Sequence, residues 1–175
     1  MGKITVTAPV KLVIGLIFKD ETVLIKTQKI LSRLFGKIDY ASQIIPFVFT
    51  DYYAEEMGAG LKRKFLSFKK LIPSQKLAEI KILTNKIEGR FFREKSREIN
   101  IDPGYLTMAK LVLASTKDYY HRVQISKNIF AEITLYYKHK GFHFFEWTYP
   151  DYKSAEYIKV LHQIRDIYAQ QIKKA

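Results

Sequence analysis

The chain has no cysteine. That absence excludes disulfides, thiol catalysis, thiolate zinc sites and iron–sulfur clusters together. A long hydrophobic run is also lacking: the longest, residues 12–18, falls far short of the ~20 residues a membrane-spanning helix needs. The opening Met-Gly-Lys-Ile-Thr-Val has no apolar signal core, so the expectation is a soluble, cytoplasmic protein with no membrane partner. Catalytic signatures are missing as well. There is no Gly-x-Ser-x-Gly nucleophile elbow, no Gly-x-Gly-x-x-Gly turn and no His-Glu-x-x-His helix. His139 and His143 are four apart, but their stretch reads as turn and strand, so no metal site is expected.

What is present suits a folded domain. The chain has 175 residues, 47% hydrophobic and 27% charged, which excludes a disordered chain, a collagen and a coiled-coil rod. Its unusual feature is basic charge, a formal net +13. Residues 61–100 hold most of it, with twelve Lys or Arg against four Asp or Glu, an excess of +8. Such a stretch attracts polyanions through counterion release, and weak nucleic-acid binding is one expectation. A solvated, lysine-rich face has the same composition and is the other.

Residues 10–18 are apolar and rich in β-branched types, which predicts a buried strand. Asp20 can cap a helix carrying Leu24, Ile30, Leu31 and Leu34, with Gly36 as its stop. Residues 38–50 read as a strand broken near Pro46, and 61–69 as another. Pro73 or Ser74 opens a second helix with a stripe of Leu77, Ile80, Leu83, Ile87 and Phe91. A short strand over 97–101 then ends at Asp102-Pro103-Gly104, a strong turn signal. This order, β-α-β-β-α-β, is ferredoxin-like: two helices on one face of an antiparallel sheet. Strands follow at 109–115, 119–125, 129–138 and 142–146, with a three-residue turn at 126–128. Ser154 can cap a last helix with the stripe Tyr157, Leu161, Ile164, Tyr168 and Ile172. The expected fold class is α+β: a ferredoxin-like core over 9–102, then an antiparallel hairpin region and a C-terminal helix over 103–175, in a single domain of residues 1–175.

Five segments carry a resemblance: PVKLVIGLIF (9–18), FTDYYAEEMGAGLKRKFLSF (49–68), INIDPGYLTMAKLVLASTKDYYHRV (99–123), AEITLYY (131–137) and WTYPDY (147–152). Together they resemble the bacterial domain-of-unknown-function family 4416, over about residues 9–160. The resemblance implies kinship and no established activity, although members are sometimes labelled GTP-binding. The residues do not support that label. A phosphate-binding loop needs Gly-x-x-x-x-Gly-Lys-Ser/Thr, and Gly58-Ala59-Gly60-Leu61-Lys62-Arg63 lacks both the spacing and the hydroxyl.

The densest polar segment is residues 115–122, Ser-Thr-Lys-Asp-Tyr-Tyr-His-Arg. With a turn at 126–128, Ile125 faces Ile129, Val123 faces Ala131 and Arg122 faces Glu132. Arg122 and Glu132 then form either a cross-strand surface pair or the polar wall of a pocket. His121 is the best acid–base candidate by its ordinary pKa, and a sheet-edge histidine otherwise. Asp-Tyr corners recur at Asp51-Tyr52-Tyr53, Asp118-Tyr119-Tyr120 and Asp151-Tyr152; loop aspartates of this kind cap turns.

The functional expectation is a binding or catalytic module for a small phosphorylated or otherwise anionic ligand. Lys62, Arg63, Asp102, Lys110, Lys117, Asp118 and Arg122 would hold the ligand, and His121 and Glu132 would move a proton. No cofactor and no oligomeric state is specified. The alternatives are a non-enzymatic RNA-binding module on the basic 61–97 surface and a structural interaction protein. A cleft converging on 110–134 favours the first, an open basic sheet the second, and a large apolar patch without a cleft the third.

Overall fold

Eight consecutive buried residues dictate the architecture. A strand buried on both faces requires a covering layer on each side. In the computed structural model, which describes all residues except 1, 4, 6, 51, 52, 94, 95, 174 and 175, that strand is β1 (Lys11–Phe18). Alternate side chains Leu12, Ile14, Leu16 and Phe18 pack on two helices, α1 (Glu21–Phe35) and α3 (Leu77–Glu88). Val13 faces the opposite way, into a core built with Tyr157, Leu161 and Ile164 of α4 (Ala155–Lys173). The result is helices, sheet and helix in three layers.

The remaining elements are β2 (Ile38–Ala41), β3 (Ile45–Pro46), α2 (Ala54–Met57), β4 (Lys62–Phe68), β5 (Phe92–Arg93), β6 (Ser96–Arg97), β7 (Ile99–Leu106), β8 (Lys110–Ser115), β9 (Val123–Ser126), β10 (Ile129–Lys138) and β11 (Gly141–Phe144). Nine strands form one sheet in the order β11-β10-β8-β7-β1-β4-β2, with β3 added on β4 and β9 on β10. All of its pairings are antiparallel. The chain is thus α+β with a large antiparallel sheet and a C-terminal helix, and the sheet continues into the hairpin region through the β7–β8 ladder. No helix among the described residues is long and apolar enough to cross a membrane.

Local signals act as expected at several ends. The Asp20 side chain accepts from the Thr22 backbone N–H at 2.7 Å, and Gly36 ends α1 at φ 91°. The Ser154 hydroxyl accepts from Tyr157 N at 3.3 Å at the start of α4. The expected turn at 126–128 is instead a two-residue hairpin, with Lys127 and Asn128 both at positive φ and Ser126 opposite Ile129. A bulge then restores Val123 opposite Ala131. Residues 119–122 form a turn and not the start of a strand.

Asp102-Pro103-Gly104 is the main correction. It is no turn: β7 runs straight through it, paired with β1 from Ile99 to Leu106. On its other side β7 meets β8 only from Gly104 onward. Upstream, the Ile101 N–H goes to the Glu88 carboxylate and its carbonyl accepts from Lys81 Nζ at 3.1 Å. In an antiparallel ladder alternate residues point their backbone groups to the same edge. Residue 103 therefore faces the β8 side, where proline offers no donor for further pairing. The sheet splays there, and the splay opens a cleft.

Gly104 is where the two strands close again. A Cβ on it would lie 2.5 Å from the Val112 carbonyl oxygen and 2.6 Å from Leu113 Cδ2. The backbone atom cannot swing aside, so Gly104→Ala is expected to destabilise the protein by about 1–3 kcal/mol as an overpacking change. Urea unfolding measures it, and a loss under about 0.5 kcal/mol, the range of neutral surface changes, would contradict this packing.

Candidate functional site

Antiparallel register sets one wall of the cleft. Gly15 pairs with Phe65 on one side and Asp102 on the other, and Ile17 with Arg63 and Asn100. Arg63, Asn100 and Asp102 therefore project from the same face of three adjacent strands. Gly15 makes room for them: a Cβ there would sit 2.9 Å from Arg63 Nη1 and 3.3 Å from the Phe65 ring.

Arg63 is buried, and each of its three guanidinium nitrogens has a partner. Its guanidinium meets Asp151 at 2.9 Å, Asp102 at 3.2 Å and the Tyr157 hydroxyl at 3.2 Å. The rings of Phe47, Phe65, Tyr152 and Tyr157 surround it at 5.3–5.8 Å. Asp102 also accepts from Asn100 Nδ2 at 2.7 Å and lies 3.8 Å from Lys81 Nζ. Burial pushes the Tyr157 phenol up to about 12 and raises the Tyr53 and Tyr152 phenols well above their ordinary value, so all three stay neutral.

A second group enters from α3 and β6. Arg97 reaches Glu88 at 3.0 Å, Glu56 at 2.7 Å and Asn100 Oδ1 at 3.0 Å. Burial raises the Glu88 carboxyl above its ordinary value, against the pull of Lys81, the Ile101 N–H and Arg97.

The opposite wall comes from the hairpin region. Arg122 Nε donates to Glu132 at 2.8 Å, and both side chains are almost fully buried, at 3% and 2% exposed. Its Nη1 donates to the Ser115 hydroxyl and the Lys117 carbonyl, each at 3.0 Å, and its Nη2 to the Tyr149 hydroxyl at 2.7 Å. His121 Nε2 lies 3.1 Å from Glu132, and its ring stacks on Trp147 at 5.3 Å. His121 Nδ1 is buried and has no hydrogen-bond partner among the described residues. Arg122 and Glu132 are thus a desolvated pair, not a surface one.

These walls enclose a cleft of about 660 Å³ whose lining includes the rings of Phe47, Phe49, Tyr119 and Tyr149. Of the residues expected from sequence, Arg63, Asp102, Lys117, Arg122 and Glu132 line it. His121 touches Glu132 from behind and does not line it. Lys62, Lys110 and Asp118 lie elsewhere. Lys62 alternates with Arg63 and turns outward to Glu21, at 2.7 Å. Lys110 stands opposite Tyr136 at the far end of β8, and Asp118 is exposed. Asp151 of the last Asp-Tyr corner holds Arg63, whereas Asp51 and Tyr52 lie outside the described residues. No group of three or more His, Asp or Glu side chains suited to a metal occurs among the described residues.

Sequence reasoning missed Lys81, Glu88, Arg97, Asn100 and Tyr149. One signal was available: Leu77, Lys81, Thr84 and Glu88 recur at helical spacing beside the apolar stripe, and all four are buried. The basic stretch also disperses. Arg63, Lys81 and Arg97 turn into the cleft, while Lys62, Lys76 and Arg93 pair with Glu21, Glu79 and Glu98 on the surface.

Comparison with family models finds a match to the domain-of-unknown-function family DUF4416 over residues 8–168. The chain belongs to this family. The match spans both walls of the cleft, so the residues described above lie within the family's region. Searches of curated proteins and of solved structures find no match.

Because the Arg122–Glu132 pair is buried, removing one partner strands the other. Arg122→Ala is expected to cost about 3–5 kcal/mol, well above the ~1 kcal/mol of an exposed pair. Arg122→Met with Glu132→Leu should recover much of that loss. Chemical denaturation of the three variants decides it: a cost near that of an exposed pair would place the two groups in solvent.

Proposed function

We propose that the chain binds a small ligand with an anionic group in the cleft between β7 and β8. The observation that carries this reading is the splay itself. The sheet is held open by Glu88, Lys81 and Pro103, and the space is walled by ionic and aromatic side chains that are already ordered by one another. Such a preformed site binds at little ordering cost. In this reading Arg63, Asp102, Lys117 and Arg122 form the polar frame. Glu132, with His121 at 3.1 Å, is the pair that would move a proton.

We read residues 9–102 as a ferredoxin-like core and residues 103–175 as its extension within one domain. The order β7-β1-β4-β2, with α1 and α3 against one face, supports the core. The β7–β8 ladder supports the single domain. The reading as an RNA-binding module on the 61–97 surface has less behind it, since its cations are divided between the cleft and separate surface pairs.

Native mass spectrometry of the purified protein, followed by a thermal-shift screen of phosphorylated and carboxylated metabolites, tests the proposal. A ligand at about 100 times its Kd stabilises by about 2.7 kcal/mol, which raises Tm by roughly 5–10 °C at this chain length. Thr116 is exposed at the rim, so Thr116→Trp should leave the ligand-free Tm unchanged and abolish the shift. A blank screen, or a shift that survives Thr116→Trp, overturns the reading.

A further inference from the structure

The cleft presents two hydroxyl donors whose oxygens are occupied and whose hydrogens are not. Ser115 Oγ accepts from Lys117 N at 3.1 Å and from Arg122 Nη1 at 3.0 Å. A serine oxygen has two lone pairs, so both are used and only its O–H remains. The Tyr149 oxygen accepts from Arg122 Nη2 at 2.7 Å. Among the described residues no acceptor takes either hydrogen, and both side chains line the cleft. A hydroxyl that accepts from a guanidinium is polarised into a stronger donor. Burial raises the Tyr149 phenol above its ordinary value, against the pull of Arg122, so its proton is retained.

We infer that Ser115 and Tyr149, carried on the two terminal nitrogens of Arg122, bind the two oxygens of a carboxylate on a ligand with an apolar or aromatic body. The inference rests on the cleft reading above and names its ligand class. Two observations favour a carboxylate over a phosphoryl group. First, each guanidinium among the described residues of the cleft already faces a carboxylate: Arg63 faces Asp151 at 2.9 Å, Arg97 faces Glu88 at 3.0 Å and Arg122 faces Glu132 at 2.8 Å. A phosphate read bidentately by any of them would compete with the carboxylate already there. Second, the described lining residues hold five cations (Arg63, Lys81, Arg97, Lys117, Arg122) and four carboxylates (Glu88, Asp102, Glu132, Asp151), and Glu56 on Arg97 adds a fifth carboxylate. In a desolvated site whose described charges already balance, one added negative charge costs less than two. The rings of Phe47, Phe49, Tyr53 and Tyr119 supply the surface for the ligand's body.

The test uses the full chain with phenylacetate and phenyl phosphate as probes, followed by calorimetry and by amide chemical shifts. Phenylacetate should bind more tightly than phenyl phosphate and shift amides at 113–117 and 149–152. Ser115→Ala and Tyr149→Phe should each weaken phenylacetate about ten-fold or more, the loss expected for one hydrogen bond to a charged group. Tyr149 is 47% exposed, so Tyr149→Phe keeps the fold and carries the test even where Ser115→Ala does not. Phenyl phosphate binding the more tightly, or phenylacetate binding indifferent to Tyr149→Phe, overturns the carboxylate inference while amide shifts in the cleft leave the cleft reading standing. Absence of phenylacetate binding up to its solubility limit overturns the inference; the cleft reading falls with a blank metabolite screen or with a shift that survives Thr116→Trp.

Discussion

A full positive charge sits inside this sheet. Arg63 is 3% exposed, and a cation cannot be left unpaired in such a place. The demands of that one guanidinium reach across the chain. Asp102 comes from β7, Asp151 from the turn before α4, and the Tyr157 hydroxyl from α4 itself. Gly15 on β1 leaves the space it fills. The first half of the chain and its last helix are therefore joined by a buried ion pair network as well as by hydrophobic contact. Such a network adds little net stability over an apolar replacement, but loss of any one partner is costly.

Around that charge the sheet solves a second problem, the unpaired edge. β7 leaves β8 before Gly104, and the freed Ile101 backbone groups would be costly if left unsatisfied. Lys81 and Glu88 reach from α3 to cap them. These side chains thus belong to the helix by position and to the sheet by function. The cleft is the space that remains once the capping is done. Its polar lining follows from the repair of a broken ladder, and its aromatic lining from the loops that carry Phe47, Phe49, Tyr119 and Tyr149.

Much of the fold was legible in local pattern. The eight-residue run of β1, the Asp20 cap, the Gly36 stop and the α4 stripe each express a short-range rule, and each lies where that rule put it. The Arg122–Glu132 contact was legible from hairpin register, although the hairpin turned out to be two residues long. Asp102-Pro103-Gly104 misled because its composition is that of a turn. Proline excludes a ladder partner only on the side where its nitrogen points, and β7 has its full partner, β1, on the other side. Lys62 and Arg63 show the same limit: adjacent cations in a strand point to opposite faces, one to Glu21 in solvent and one to the core.

The sequence by itself determined most of the strands and helices, the absence of thiol chemistry, the excess of basic charge and the family. These depend on residue type and on spacing within a dozen positions. Only the tertiary structure decided which cations meet which carboxylates. Arg63 and Asp151 are 88 positions apart, and Arg97 meets Glu56 across 41. Their meeting depends on strand order, and strand order is set by the burial of whole faces rather than by any local signal. A basic stretch that looked like one surface was for that reason divided, with part of it turned inward to frame the cleft.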